Sequence, residues 1–185
     1  MKNKRKKWHR WFGLMLMDYF HGTDFEVELE MDLSIHKQLL DVVVVSGSPG
    51  ARLKNPCAGF EDIAEHNLIT FKGPPESMTW WTLDELVGHY VNYRKSLGVK
   101  TISDDSVRLY AVSARRPNLL DAGHALCTQP GVYELLYGHR FIRMLVMSEV
   151  GVEDRNAMWE LFSGKPDLVP LPAPRPRAPR RLRHW

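Results

Sequence analysis

Two short apolar segments, each carrying one charged residue, constrain the fold of this chain more than any other feature. Residues 38–45 form a β-branched run with Asp41 inside it, and residues 68–72 form a second apolar run that ends in Lys72 before a Gly-Pro-Pro breaker. Side chains alternate along a strand, so Thr70 and Lys72 point to the same face. A lone aspartate in a strand of buried type is costly unless something uses or satisfies it. We therefore expect two strands of one sheet, with Asp41 and Lys72 sharing a pocket.

Both charged residues also have a purely structural interpretation. Asp41 can be a buried aspartate that is hydrogen-bonded to the backbone or to Lys72, because buried polar groups in proteins are almost always paired. Lys72 can be a lysine at a strand end whose ammonium group reaches water. The sequence leaves these alternatives open.

The segments before these strands predict a helix and a third strand. Apolar residues between positions 8 and 20 recur at the spacing of one helix face, and Gly22 follows as a stop. Residues 25–33 alternate strictly between apolar and acidic side chains, which predicts a strand with one face on the core. Its acidic face is either a solvated surface or the source of one functional carboxylate, for which we favour Glu30 because it lies near Asp41.

The segments after residue 72 complete an α/β pattern. Thr79 or Thr82 caps a predicted helix over residues 83–96. The later predicted elements are a strand at 107–114, a long connection at 117–128, a hairpin at 131–147 that turns at Gly138, and a closing helix at 156–163. We therefore expect a basic flexible N-terminus (1–7), one domain (8–164) and a disordered Pro- and Arg-rich tail (165–185).

The charge of the chain is unevenly distributed. Net charges of +6 in residues 1–10 and +5 in residues 165–185 leave −8 for residues 11–164, out of +3 overall. Basic tails on an acidic body suit salt-dependent contact with a polyanion such as DNA, or serve only as solubilising tails. Two distant cysteines fit a reduced, cytoplasmic protein, and no segment has the length or cleavage signal of a membrane span or a signal peptide. The sequence does not indicate an oligomeric state.

The segment 66–72, together with the end of the 83–96 helix, resembles the PD-(D/E)XK nuclease-like superfamily. It is most similar to uncharacterised bacterial proteins of that superfamily, some of whose relatives are associated with transposition. The resemblance covers roughly residues 8–163. It implies a restriction-endonuclease-like α-β-β-β-α-β core with a mixed central sheet flanked by helices.

The resemblance also implies roles for individual residues. Asp41 matches the aspartate that binds Mg²⁺, the backbone carbonyl of Phe71 is a further metal ligand, and Lys72 positions the attacking water. Thr70 stands at the catalytic position where Glu or Asp is expected, and a neutral hydroxyl is a poor ligand for Mg²⁺. Either another acid replaces the missing carboxylate or the site is inactive. The candidate replacements are Glu30, Glu65 and Glu85.

The function expected from this resemblance is that of an Mg²⁺-dependent nuclease-like protein acting on DNA phosphodiesters, with a degenerate active site. The alternative is a catalytically inactive module that binds nucleic acid or protein. DNA contact is expected through the basic tails and the polar end of the 83–96 helix. The residues of that helix expected to contact DNA are Tyr90, Tyr93, Arg94 and Lys95.

Overall fold

The computed structural model describes residues 2–32, 39–48, 50–97, 103–123 and 125–163, with the backbone alone for residues 2–7, 30–32 and 39. Within these residues, three α-helices and seven strands follow one another along the chain. They are α1 (Lys2–Phe20), β1 (Phe25–Asp32), β2 (Leu39–Ser46), β3 (His66–Lys72), α2 (Trp80–Leu97), β4 (Val107–Ser113), β5 (Ala125–Gln129), β6 (Val132–Tyr137), β7 (Arg140–Val146) and α3 (Ala157–Glu160).

The seven described strands form one mixed sheet in the order β1-β2-β3-β4-β7-β6-β5. The pairs β3–β4 and β4–β7 are parallel, and the other four pairs are antiparallel. The protein is therefore of the α/β class, as the sequence predicts. The helix α2 connects β3 to β4, because two parallel neighbours need a crossover.

Two apolar clusters cover the two faces of the sheet. One cluster joins α1 and α3 to the sheet through Phe12, Phe71 and Trp159, all fully buried. The other cluster joins α2 to the opposite face through buried apolar residues that include Leu83 and Leu86. The sheet is thus buried on both sides at β2, β3 and β4, which explains why the sequences of these strands read as nearly continuous apolar runs.

The two long helices differ from the sequence predictions in detail. The helix α1 begins at Lys2, so residues 2–7 are helical where a flexible N-terminus is expected. Phe12, Leu16 and Phe20 are buried as the periodicity predicts, whereas Trp11 is 61% exposed. In α2, Thr79 is the cap, since its hydroxyl oxygen accepts a hydrogen bond from the backbone N–H of Thr82.

The C-terminal half contains one strand that the sequence analysis assigns to a connection. Strand β5 lies at the edge of the sheet, and the predicted long connection at 117–128 overlaps it. The hairpin of β6 and β7 is confirmed, with Gly138 at φ +64° in its two-residue turn. The closing helix is shorter than predicted, since α3 spans only Ala157–Glu160. The predicted tail at 165–185 lies outside the described residues.

Candidate functional site

The candidate site lies where strands β2 and β3 separate. Their described backbone pairing runs from Val45–His66 to Val42–Ile69 and goes no further. The next residue of β2 towards its start is Asp41. Before Val42, β2 has no described backbone pairing with β3. The Asp41 side chain can therefore accept hydrogen bonds from donors of β3 that have no partner on the β2 backbone.

The Asp41 carboxylate accepts two hydrogen bonds from β3 through its Oδ2 atom. The Thr70 hydroxyl donates over 3.1 Å and the backbone N–H of Phe71 over 2.8 Å. Asp41 therefore takes the place of the missing backbone acceptor. This arrangement agrees with the structural alternative for Asp41 and also fixes the carboxylate next to the backbone of Phe71.

The other oxygen of Asp41 faces His9 on helix α1. Nδ1 of His9 lies 2.5 Å from Oδ1 of Asp41, and Nε2 of the same ring lies 3.1 Å from Oε2 of Glu76. Glu76 follows β3, and its Oε2 also accepts the backbone N–H of Gly73 over 3.3 Å. A carboxylate can only accept when ionised, so both ring nitrogens of His9 must carry hydrogen. The imidazolium thus bridges two acids, and we call His9, Asp41, Thr70 and Glu76 the Asp41 cluster.

The pKa of His9 reflects this position between two carboxylates. Burial disfavours the charged ring, but the hydrogen bond and negative charge of Asp41, aided by Glu76, outweigh it and raise the pKa of His9 above its ordinary value. The ring also packs edge-on against Phe71, with 5.8 Å between centroids. The site therefore favours the protonated form of His9.

A second histidine approaches the site from the opposite face of the sheet. His89 on α2 is 6% exposed, and its Nδ1 atom has no hydrogen-bond partner among the described residues. Burial lowers the pKa of His89, against the opposing charges of Glu85 and Asp41. Asp41 thus lies in the field of two histidines whose pKa values are shifted in opposite directions.

Lys72 ends β3 and lies on the same face of the strand as Thr70, because the two residues are two positions apart. Its ammonium group forms no hydrogen bond or ion pair with any described residue. The structure therefore joins Thr70 and Phe71 to Asp41 directly, whereas Lys72 is placed beside them without a contact to the carboxylate.

The candidate replacement acids have different positions. In the register of β1 with β2, Glu30 lies between Leu29, opposite Val42, and Met31, opposite Leu40, which puts its backbone opposite Asp41. Its side chain is outside the described part of the chain. Glu65 precedes the far end of β3, where its carboxylate faces His66 at 3.9 Å.

The acid that the structure brings to Asp41 is Glu76, which the sequence analysis does not consider. Its side chain is 7% exposed and reaches Asp41 through His9. A signal for His9 exists in the sequence, since it precedes Phe12 and Leu16 by three and seven residues and so shares their buried stripe. Glu76 has no such signal, because it lies in a loop.

The donor set does not fit a divalent cation in this arrangement. Mg²⁺ takes oxygen ligands at about 2.0–2.1 Å in octahedral geometry, whereas the width of the His9 ring separates Asp41 from Glu76. Both oxygens of Asp41 already accept hydrogen bonds. In the described part of the chain, no group of three His, Cys, Asp or Glu side chains could hold a metal ion.

The residues of α2 that the sequence analysis assigns to DNA contact divide into two pairs. Tyr90 and Tyr93 are buried at 3% and 2% exposure, and their hydroxyl groups bond to Asp104 and His66. Their rings cannot stack on bases in this conformation. Arg94 bonds to Tyr90 and Asp104, whereas Lys95 is exposed. Of these four residues, Lys95 is thus the exposed cation.

A cleft opens beside the Asp41 cluster at the carboxyl ends of β3 and β4. It measures about 510 Å³ and is lined by residues that follow these two strands and by the first residue of α2. Glu76 belongs both to its wall and to the Asp41 cluster, so the two lie next to each other. Crevices at the carboxyl ends of parallel strands are the usual ligand sites of α/β sheets.

Fold and site together define an α/β protein with a polar cluster at the point where two central strands separate. The chain matches no protein-family model, and no curated protein or solved structure is detectably similar to it. None of the helices in the described ranges is long and apolar enough to span a bilayer. Cys57 is buried, Cys127 is exposed, and both are free thiols.

Proposed function

We propose that this protein is a restriction-endonuclease-like domain that binds DNA along its phosphate backbone and does not cleave it. The observation that carries the proposal is the set of hydrogen bonds that Asp41 already makes. Both oxygens of the carboxylate expected to bind a metal ion accept hydrogen bonds, from His9, Thr70 and the Phe71 N–H. A protonated imidazole between two acids supplies the positive charge that a catalytic cation would otherwise supply.

The order of elements also supports this proposal. A helix, three antiparallel strands, a helix and a parallel strand follow one another from α1 to β4, and Asp41 and Lys72 lie on the second and third strands. This order is compatible with the core that the resemblance to PD-(D/E)XK proteins implies, and it supports the proposal to that extent. The agreement is in the order of the helices and strands. The difference is at Thr70, which lacks the carboxylate expected at a catalytic position.

The positive charge near the site favours a polyanion as the partner. Five of residues 2–7 are Lys or Arg, and the backbone of α1 carries them within two turns of His9. Lys72 and Arg115 add cations whose side chains have no ion-pair partner among the described residues. Phosphate groups would meet several positive charges around the Asp41 cluster, which predicts binding that weakens steeply with salt.

Two measurements on the purified full chain test the proposal. Retention of a labelled DNA duplex at increasing salt should give a linear loss of log affinity with log salt, and a plasmid nicking assay with Mg²⁺ or Mn²⁺ should show no cleavage. Absent or salt-independent retention would remove DNA as the partner. Cleavage by the wild type that Asp41→Ala and Lys72→Ala both abolish would replace the binding function with a nuclease.

Metal-dependent phosphodiester hydrolysis is the second candidate, and the position of Glu76 favours it. Position 70 lacks the expected carboxylate, but Glu76 lies on the other side of the His9 ring from Asp41. Removal of the ring would therefore leave the carboxylates of Asp41 and Glu76 facing each other. In this case His9→Ala should raise nicking with Mg²⁺ above the wild-type level, and Glu76→Gln in the same background should abolish it. His21→Ala, a change at an exposed histidine after α1, is the matched control. Equal nicking by His9→Ala and His21→Ala would exclude this candidate.

A further inference from the structure

The cleft beside the Asp41 cluster combines an aromatic ring, an open cation and a free amide. Trp80, the first residue of α2, belongs to its wall, and so do Arg115 and Asn118, which follow β4. Its volume of about 510 Å³ lies in the range of small-molecule sites. A ligand of this cleft can therefore contact an aromatic residue, a cation and an amide at the same time.

Trp80 has the surface that a stacked base requires. One side of the indole is occupied by Tyr137, at 6.0 Å between ring centroids and 21° between planes, and the residue is still 41% exposed. The stacked Tyr137 is held in turn by a hydrogen bond from its hydroxyl group to Asp84. A ring that is held by a stacked neighbour and remains partly exposed can serve as a stacking platform, because little entropy is lost when a base binds to it.

Arg115 has the charge that a phosphate requires. It is exposed, and no described residue forms an ion pair with its guanidinium group. Its neighbour Arg116 is different, since it contacts Asp121, Glu149 and the Tyr133 hydroxyl. Arg116 is therefore neutralised by the protein, and Arg115 is the cation of the cleft that an incoming anion can use.

The remaining groups around the cleft also suit an anionic ligand that carries a base. The Asn118 amide is exposed and has no hydrogen-bond partner in the described part of the chain, so it can pair with a base edge. Helix α2 has no acidic residue in its first turn, and its N-terminus therefore adds positive potential at the rim. Glu76, the acid of the wall, faces His9.

We propose that this cleft binds one unpaired nucleotide, with its base on Trp80 and its phosphate on Arg115. The inference rests on the proposed function, since it makes the cleft the subsite that receives a strand end or an unpaired base of the bound DNA. A free nucleotide has the same chemistry, so the experiment includes both sources.

The main experiment compares two labelled duplexes of equal length, one blunt and one with a short single-stranded overhang, by fluorescence anisotropy. The wild type should bind the overhang duplex more tightly, and Trp80→Ala should remove about 10-fold of that affinity while leaving blunt-duplex binding unchanged. Trp80→Phe should retain most of the preference because a phenyl ring still stacks. Trp81→Ala is the matched control, since Trp81 is 69% exposed and lies outside the cleft wall.

The role of Arg115 has its own readout. Arg115→Ala should weaken binding of the overhang duplex and reduce the salt slope by about one. Arg52→Ala is the control, because Arg52 is exposed and lies in a different depression of the surface. Equal slopes for Arg115→Ala and the wild type would overturn the assignment of the phosphate.

The outcomes separate this inference from the proposed function. Salt-dependent duplex binding without any overhang preference, or equal losses for Trp80→Ala and Trp81→Ala, would overturn the subsite and leave DNA binding intact. If no duplex binds, titration with deoxyadenosine monophosphate decides: Trp80-dependent binding supports the cleft as a site for a free nucleotide, and no binding overturns it.

Discussion

Two polar clusters lie on the same central sheet, and they differ in how completely their charges are matched. The first, here called the Arg143 cluster, consists of Arg143 with Asp62, Glu134 and Arg108. Two cations face two anions, and Arg143 also donates to the Gly59 carbonyl over 3.1 Å. The neighbouring arginines lower the pKa of Asp62 to about 2, although burial alone would raise it.

The Asp41 cluster differs in its surroundings. His9 lies between the carboxylates of Asp41 and Glu76, and around it the Nδ1 atom of His89 lacks a described partner while Lys72 and Arg115 lack described counter-ions. The Arg143 cluster thus neutralises its own charges, whereas Lys72 and Arg115 are cations that the ligand of the proposed function can use.

The largest effect is expected from a break in the Arg143 cluster. Arg143→Met leaves Asp62 and Glu134 without their shared cation in a partly buried site, and we expect a loss of about 3 kcal/mol in the free energy of unfolding. Urea denaturation measures it, and Arg116→Met at an exposed network should cost less than about 1 kcal/mol. A similar small cost for both variants would contradict the structural role of the Arg143 cluster.

A smaller effect is expected from His9. His9→Gln removes the charge that joins Asp41 to Glu76, and the free energy of unfolding below pH 6.5 should fall by about 2 kcal/mol because hydrogen bonds between charged groups are lost. His21→Gln is the control at an exposed position. An unchanged stability of His9→Gln would show that the bridge between the two acids contributes nothing.

The two histidines near Asp41 should give pH dependences of opposite sign. The pKa of His9 is raised on folding, so its contribution is complete below the unfolded value of about 6.5 and is lost as the pH rises through the folded pKa. The pKa of His89 is lowered, so its contribution is present above about 6.5 and is lost as the pH falls towards the folded pKa. Urea titrations of His9→Gln and His89→Gln across this window should flatten the alkaline and the acidic side, respectively. Flattening on the same side by both variants would refute the assignment.

The smallest effect on stability, with a clear effect on binding, is expected from Lys72. Its ammonium group has no described partner to lose, so Lys72→Ala should change the free energy of unfolding by less than about 0.5 kcal/mol. Removal of one phosphate contact should reduce the salt slope of DNA retention by about one. Lys54→Ala, at an exposed position of the loop before β3, should leave the slope unchanged. A destabilised Lys72→Ala variant would show that Lys72 contributes to the stability of the fold and would contradict this prediction.

The sequence by itself determined the elements that local patterns encode. Alternation in residues 25–33 and the β-branched run at 38–45 gave β1 and β2, and the glycine at 138 gave the β6–β7 hairpin, because strand period and turn chemistry act between near neighbours. It did not give β5, because the five residues Ala-Leu-Cys-Thr-Gln do not alternate between apolar and polar side chains and are largely exposed at the sheet edge.

The tertiary structure alone decided the composition of the site. Asp41 meets His9 across 32 positions of the chain, and His9 meets Glu76 across 67. No sequence period or motif spans such distances. These contacts form only when α1 packs on the sheet and where the pairing of β2 with β3 ends. The burial of Tyr90 and Tyr93 depends on a different contact, the packing of α2 on the opposite face of the sheet. A helix with aromatic residues on several sides has its buried side fixed only when it packs against a sheet.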